Sequence, residues 1–356
     1  MNQTVSHKVS QGVSEQSSGE HQLAAAYDIV VVGGGAAGLS GALTLGRSRR
    51  SVLLLDAGEP RNAPVGGVHN YLFREGASPA ALLEIGRAEV VQYGVRVVNA
   101  RVTAARQLAD DRAETLGPAD GDTRFAVELA DGRSVRARRL LVTTGLVDEL
   151  PDVPGVAERW GRDVLHCPFC HGWEVRDQAI GILATGPMTA HSAKLFRQLS
   201  DDVVVFQHTA PPLSDEEAEE LAARGITVVE GEVAALEIAE DRLAGVRLRS
   251  GEVIPRQAVV VAPRLVARVD FLRPFGLETS DMEMAGHVVA SSIPADANGA
   301  TAVPGIWAAG NITNPMGQVI SAASAGMMAG AVINADLVAE ETARAVAARR
   351  ERDGRG

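Results

Sequence analysis

"YDIVVVGGGAAGLSGALTLGRSRRSVLLLDAG", residues 27–58, decides how this chain folds. An apolar run from Ile29 to Val32 enters Gly33-x-Gly35-x-x-Gly38, a small-residue helix follows, and a second apolar run, Val52 to Leu55, ends at Asp56. Strand, glycine turn, helix, strand and terminal acid is the order that binds an adenine dinucleotide. Gly33 permits the tight turn, Gly35 admits a pyrophosphate to the backbone, and Gly38 lets helix and strand pack closely. The free N–H groups of the helix start face the anion. Asp56 is placed to hold a ribose diol, and the arginines of residues 47–50 are predicted to close the helix.

Outward from this stretch, the same plan occurs twice. "GVRVVNARVTAA" (94–105) matches "GITVVEGEVAAL" (225–236), and "VELADGRSVRARRLLVTTG" (127–145) matches "VRLRSGEVIPRQAVVVAPR" (246–264). The counterpart of the first turn is "AIGILATGPMTAHSAKLF" (179–196), followed by a strand from Val203 to Phe206. A third segment, residues 303–338, fits neither copy. It reads as a short buried strand, Ile306 to Ala309, a Gly-Asn turn and a long helix of small residues that complete the first unit. The expected fold is α/β with two Rossmann-like dinucleotide-binding domains, the second inserted into the first. The boundaries are 25–150 plus 269–340 for the first domain and 151–268 for the second, with a disordered leader over 1–24 and a solvated helical tail over 341–356. Proline-bearing joints near 150–155 and 273–276 support them.

With a net charge of −11 and 46% hydrophobic residues, the 356-residue chain offers a large core and no basic field for nucleic acid. The leader lacks the apolar centre of a signal peptide, and no contiguous apolar run reaches the length of a membrane span. A cytoplasmic protein without membrane contact is expected.

The only two cysteines lie in "HCPFCHGWE", residues 166–174. Cys-x-x-Cys serves redox disulfides, zinc sites and covalent haem. Zinc would need His166, Cys167, Cys170 and His171 crowded into one hexapeptide or a second ligand pair elsewhere, and haem would need export. No metal is expected.

Two dinucleotide-type domains, a Cys-x-x-Cys just before the second nucleotide turn and a late "AAGN" together resemble the low-molecular-weight thioredoxin reductase family of FAD-dependent disulfide oxidoreductases, over about residues 27–340. That resemblance implies FAD as cofactor in the first domain, around Gly33, Gly35, Ala36, Ala37, Gly38, Asp56, Ala57, Asn62, His69, Asn70, Val102, Thr144, Gly145, Gly310, Asn311, Gln318 and Val319. Gly310-Asn311 stands where the family has Gly-Asp, Gly317 where it has arginine, and Gln318-Val319 at a helix start that faces the flavin. The resemblance further implies that Cys167 meets the substrate and Cys170 the flavin. His171, where the reductases carry aspartate, is the expected base, with His166 the weaker candidate; orientation of the loop is the alternative for His171. Phe169 and Trp173 are read as packing residues, with the wall of a small-molecule pocket as the other reading.

The second nucleotide turn departs from the first. Ala184-Thr185-Gly186-Pro187-Met188-Thr189, aligned on residues 33–38, keeps one glycine of three, and Pro187 removes an N–H. After the next strand His208 is present, but Thr209 and Ala210 replace the arginines that grip the NADPH phosphate in the reductases. The "CPFCHG" motif and the loss of these anchors resemble the branch of dithiol oxidases that close disulfides in gliotoxin-like and holomycin-like natural products. The expected activity is oxidation of a small-molecule dithiol, or of a thioredoxin-like protein, through Cys167 and Cys170, with electrons passed by FAD to molecular oxygen as hydrogen peroxide. An NAD(P)H-dependent disulfide reductase and a non-enzymatic flavin redox sensor are the alternatives. A homodimer is expected by resemblance.

Overall fold

The computed structural model describes residues 23–108 and 123–354. The predicted leader lies outside the described residues apart from its last two, as do residues 355–356 of the tail. The first unit holds strands β1 (Ala26–Val32), β2 (Val52–Asp56), β3 (Arg96–Asn99), β4 (Val102–Gln107), β5 (Phe125–Leu129) and β6 (Ser134–Val142), with helices α1 (Ala36–Arg47) and α2 (Pro79–Gln92) between them. β7 (Leu146–Glu149) leads out through α3 (Val156–Arg159), β8 (Val164–Leu165) and α4 (Pro168–His171). The second unit continues with β9 (Ile180–Leu183), α5 (Thr189–Phe196), β10 (Val203–Phe206), α6 (Asp215–Ala223), β11 (Thr227–Val229), β12 (Val233–Ala239), β13 (Arg242–Leu248), β14 (Val253–Pro255) and β15 (Ala258–Val260). The chain closes with β16 (Arg264–Ala267), β17 (Ser280–Met284), β18 (His287–Ser292), β19 (Ile306–Ala308) and α7 (Val319–Asp353).

The first sheet runs β3-β2-β1-β6-β5-β4, and β19 pairs in parallel with the second half of β6, Ile306 opposite Leu140. β1 is covered on both faces, so every residue from Ile29 to Val32 is buried, as in other two-sided parallel sheets. The second sheet, β11-β10-β9-β15-β8, repeats this order, with β8 in the place of β19. The copies diverge at the hairpin. In the first unit one nine-residue strand, β6, serves as both hairpin arm and buried strand. In the second it is split into β14 and β15, which leaves β12-β13-β14 as a separate sheet.

The two crossings between units are strands. β7 and β16 pair antiparallel, Arg264 opposite Glu149 through Ala267 opposite Leu146, inside a sheet ordered β17-β18-β16-β7. This sheet and α2 are absent from the sequence reading, although Ser78-Pro79 carries the signal for α2: the Ser78 hydroxyl accepts the Ala81 N–H at 3.2 Å.

α7 is long and apolar enough, by length and composition, to cross a membrane, which corrects the expectation that no segment would be. Valine, isoleucine, alanine and methionine supply that character, with glycine and polar residues scattered among them. One face of the helix packs into the core: Ala322, Gly326, Ala329, Gly330, Ile333 and Leu337 are buried. A Cβ on Gly326 would stand 1.9 Å from the Ala37 carbonyl oxygen, and one on Gly330 2.8 Å from that of Gly41. Lower down, the buried Arg139 guanidinium donates to Asp336 at 2.6 Å and to Glu340 at 2.5 Å, and Arg138 reaches Asp28, Glu340 and Glu341. Burial pushes the Glu340 carboxyl up, but hydrogen bonds from Arg139 and Arg138 outweigh it and hold its pKa at about 2.

Gly→Ala inside a helix ordinarily stabilises by about 1 kcal/mol. Gly326→Ala is expected to do the reverse, costing roughly 1–3 kcal/mol as other overpacked contacts do and loosening FAD. Thermal melts and the flavin content after gel filtration check this; a stabilised variant would contradict the close packing.

Candidate active site

Both helices that begin at the glycine turns, and the loops beside them, open into one cavity of about 2140 Å³. Its walls include Gly33, Gly35, Asp56, Gly310 and Gln318 from the first unit, Cys167, Cys170 and His171 from α4, and Pro187 and His208 from the second unit. Ala36, Ala37, Ala57, Asn62, His69, Val102, Thr144, Gly145, Asn311, Val319 and His166 also line it. Gly38 and Asn70 stand outside this lining. Gly38 lies beneath the turn, where a Cβ would meet the Gly33 carbonyl oxygen at 1.9 Å. Asn70 has a left-handed φ of 58° and turns its amide to the Phe169 carbonyl at 2.6 Å, so it braces the cysteine loop.

The first turn is a working cradle. Gly33 has φ +110°, and a Cβ there would lie 2.4 Å from the Thr143 carbonyl oxygen, so only glycine fits. A Cβ on Gly35 would meet nothing within 4 Å, because the residue faces the cavity. Gly35 caps α1 without a side-chain bond, leaving the first N–H groups of the helix for an anion. Asp56 is held ready by Arg87 of α2 at 2.6 Å and by the Gly58 N–H at 3.2 Å. Arg87 escaped the sequence reading because α2 did.

The second turn is not equivalent. Ala36 opens α1, whereas its aligned partner Pro187 precedes α5, which begins two positions later at Thr189. The Thr189 hydroxyl donates to the Gly186 carbonyl at 2.8 Å, filling the space that Gly38 leaves for close packing. His208 is held by the Val233 N–H, which donates to its Nδ1 at 3.1 Å, and the nearby Arg249 pairs with Glu232 at 2.8 Å. Thr209 lines the cavity with them and carries no charge.

Cys167 and Cys170 are joined in a disulfide, with Cα atoms 5.2 Å apart. β8 delivers them to the C-terminal edge of the second sheet. Cys167 caps α4, and its sulfur accepts the Cys170 N–H at 3.2 Å, an interaction that favours a thiolate there. Cys170 points toward the start of α7, where the Gln318 amide lies 3.9 Å from its sulfur. Asn311 donates to the Gly317 carbonyl at 2.7 Å and to that of Asn314 at 3.1 Å, bracing this loop as an aspartate at that position would not. His171 ends α4; burial, then the neighbouring charge of His69, lowers its pKa against the opposing pull of Glu174, which favours the neutral ring. Phe169 and Trp173, read as packing residues, are each 64% exposed, because α4 and the turn after it ride on the surface.

A cradle for a dinucleotide beside a disulfide, in one cavity, is the arrangement of a flavin-linked disulfide enzyme. The model of the pyridine nucleotide-disulphide oxidoreductases matches residues 27–329. The chain belongs to that family. It is similar to the thioredoxin reductase sirT of Leptosphaeria maculans, 30% identical over 86% of this chain and 93% of that one. Among solved structures it resembles HlmI, 44% identical with a TM-score of 0.81 over 90% of this chain and 95% of that one. An oxidoreductase from Agrobacterium tumefaciens is 32% identical with a TM-score of 0.78, over 88% and 98%. The protein is an FAD-dependent oxidoreductase acting on sulfur groups. The Gly33–Gly35 cradle, Asp56 and the free start of α7 fit FAD.

His166 stacks on Trp160 with ring centroids 5.6 Å apart. Burial, then the charge of Arg61, lowers its pKa from 6.5 to about 4, against the pull of Asp148. The unfolded chain therefore takes up a proton between about pH 6.5 and 4 that the folded chain refuses, and stability falls as pH drops through that window. His166→Gln is expected to flatten this loss in melting temperature; an equally steep loss in the variant would remove His166 as its source.

Proposed function

We propose that the protein is a dithiol oxidase: it closes a disulfide in a small substrate through Cys167–Cys170, and oxygen is the final acceptor. The observation that carries this reading is the second nucleotide turn. Its helix starts late, Pro187 stands where a phosphate-facing N–H is needed, and no guanidinium follows His208 in sequence. Electrons from a nicotinamide have no well-built seat, while the disulfide opens into the same cavity as the FAD cradle.

In the proposed step a substrate thiol, deprotonated by His171, attacks the Cys167 sulfur, and Cys170 leaves as a thiolate. The second substrate thiolate then displaces Cys167 and closes the product disulfide. Two electrons have passed from substrate to the cysteine pair; one substrate proton rests on His171 and the other on the Cys167 sulfur released in the second exchange. Bound FAD supplies the two-electron acceptor that restores the disulfide and the route to oxygen, which leaves as hydrogen peroxide. The Cys170 N–H at the Cys167 sulfur and the Gln318 amide beside Cys170 steady the two sulfurs.

Tyr71, Phe169 and Met316 line the cavity near the disulfide, and Leu72, Phe73 and Trp173 are exposed on the same loops. This apolar rim suits an apolar dithiol substrate. The names of relatives such as sirT favour a second reading, an NAD(P)H-dependent thioredoxin reductase. A homodimer remains part of the proposal; Ile320, Met327 and Met328 of α7 are exposed for such a contact.

An oxygen electrode with a small vicinal dithiol tests the oxidase. One hydrogen peroxide is expected per disulfide closed, without nicotinamide. Cys167→Ser and Cys170→Ser are each expected to abolish turnover while FAD stays bound, and His171→Gln to slow it by roughly 10²–10⁴-fold. Turnover that survives either serine variant, or that requires NADPH, would overturn the reading.

A further inference from the structure

We propose that His69, His171 and Glu174 form a binding site for a zinc-type divalent cation, and that filling it arrests thiol chemistry at the neighbouring disulfide. One ligand atom from each of the three side chains lies within 4.8 Å of the others. They come from the loop after β2, the last residue of α4 and the turn that follows it, so the site joins two separate segments of chain.

The hydrogen bonding of His69 carries the argument. Its Nδ1 lies 2.6 Å from one oxygen of Glu75, whose other oxygen accepts the Asn70 N–H at 2.9 Å. A carboxylate there can only accept, so Nδ1 carries the proton. When the ring carries only that proton, Nε2 presents a lone pair to the Glu174 carboxylate at 3.4 Å; with a second proton it would donate to the same oxygen. Lone pair against carboxylate is repulsive unless a second proton or a cation lies between them. A tetrahedral zinc shell with bonds of about 2.0–2.1 Å sets neighbouring ligands roughly 3.3–3.4 Å apart, the separation found. His171 offers a third donor, its ring edge-on to that of His69 with centroids 6.0 Å apart. Carboxylate, histidine and metal in line is the support that fixes ligand orientation in zinc proteins, and Glu75 occupies the outer place.

Access is provided. A smaller cleft of about 320 Å³, lined by Gly66, Gly67 and Gly76 beside His69, His171 and Glu174, leads to the three side chains. A Cβ on Gly67 would come within 3.1 Å of His69 Nε2, so glycine keeps that nitrogen open. The fourth position would go to water.

The expected consequence rests on the reading of His171 as the base: a bound cation occupies the lone pair that would take the substrate proton and ties the 61–76 loop to α4. The test uses the FAD-loaded, oxidised protein, in which the cysteines are closed and cannot act as ligands. Zinc is titrated in against a chromophoric chelator, and cobalt is followed by its visible absorption. One metal per chain with micromolar affinity is expected. His69→Gln and Glu174→Gln should each weaken it by at least about tenfold, and the double variant Cys167→Ser/Cys170→Ser should bind as well as the parent. Absence of binding, or binding that survives His69→Gln and Glu174→Gln but is lost with the cysteines, overturns the site. Zinc should slow dithiol turnover of the parent and spare Glu174→Gln in the same mixture, where chelation by the dithiol is common to both. Binding without inhibition leaves the site standing and overturns the arrest and the role of His171 in it.

Discussion

The contact between α1 and α7 governs the placement of everything chemical in this protein. Backbone meets backbone where Gly326 lies on the Ala37 carbonyl and Gly330 on that of Gly41, closer than any side chain would allow. That approach brings the start of α1, at Gly35, and the start of α7, at Gln318, into the walls of one cavity. One helix start suits a pyrophosphate; the other suits the electron-rich end of a flavin and lies beside Cys170. The pairs from Arg138 and Arg139 to Glu340 fix the middle of α7, so its register against β6 is set beyond the glycine contacts as well.

The second unit shows the same architecture put to a different use. β8 takes the place in its sheet that β19 takes in the first, and each edge strand ends at a functional loop, His166-Cys167 in one and Gly310-Asn311 in the other. The sheet order is preserved while the phosphate cradle is not. Hydrophobic burial maintains the sheet, since Ile180, Ile182, Val203 and Val205 stay inside whatever binds above them. The turn has no such constraint, and there one N–H is lost at Pro187, α5 starts late, and Thr189 fills the space of close packing.

Much of this was legible in the sequence because it rests on local rules. Residues 27–58 announce strand, turn, helix and acid by apolar runs and three glycines, and the repeat exposed the second sheet except for β8. What escaped depends on pairing between distant segments. Neither β7 nor β16 has a pattern of its own; each is a strand because the other lies beside it, Leu146 opposite Ala267. Glu75 and Glu174 carry no local signal; the fold sets both against His69. Asn70 turns its amide to the Phe169 carbonyl, 99 residues away in sequence, a pairing that no local pattern announces. Phe169 and Trp173 were misread for a related reason: aromatic residues usually pack, and only the position of α4 at the cavity rim explains their exposure.

The central claim is that electrons enter through the cysteines and not through a nicotinamide. The direct measurement is flavin absorbance in the absence of oxygen, after mixing the protein with excess NADPH, with NADH and with a small apolar dithiol in separate reactions. Bleaching by the dithiol alone, reversed on admitting air, is the result this account predicts. Rapid bleaching by either nicotinamide would contradict it.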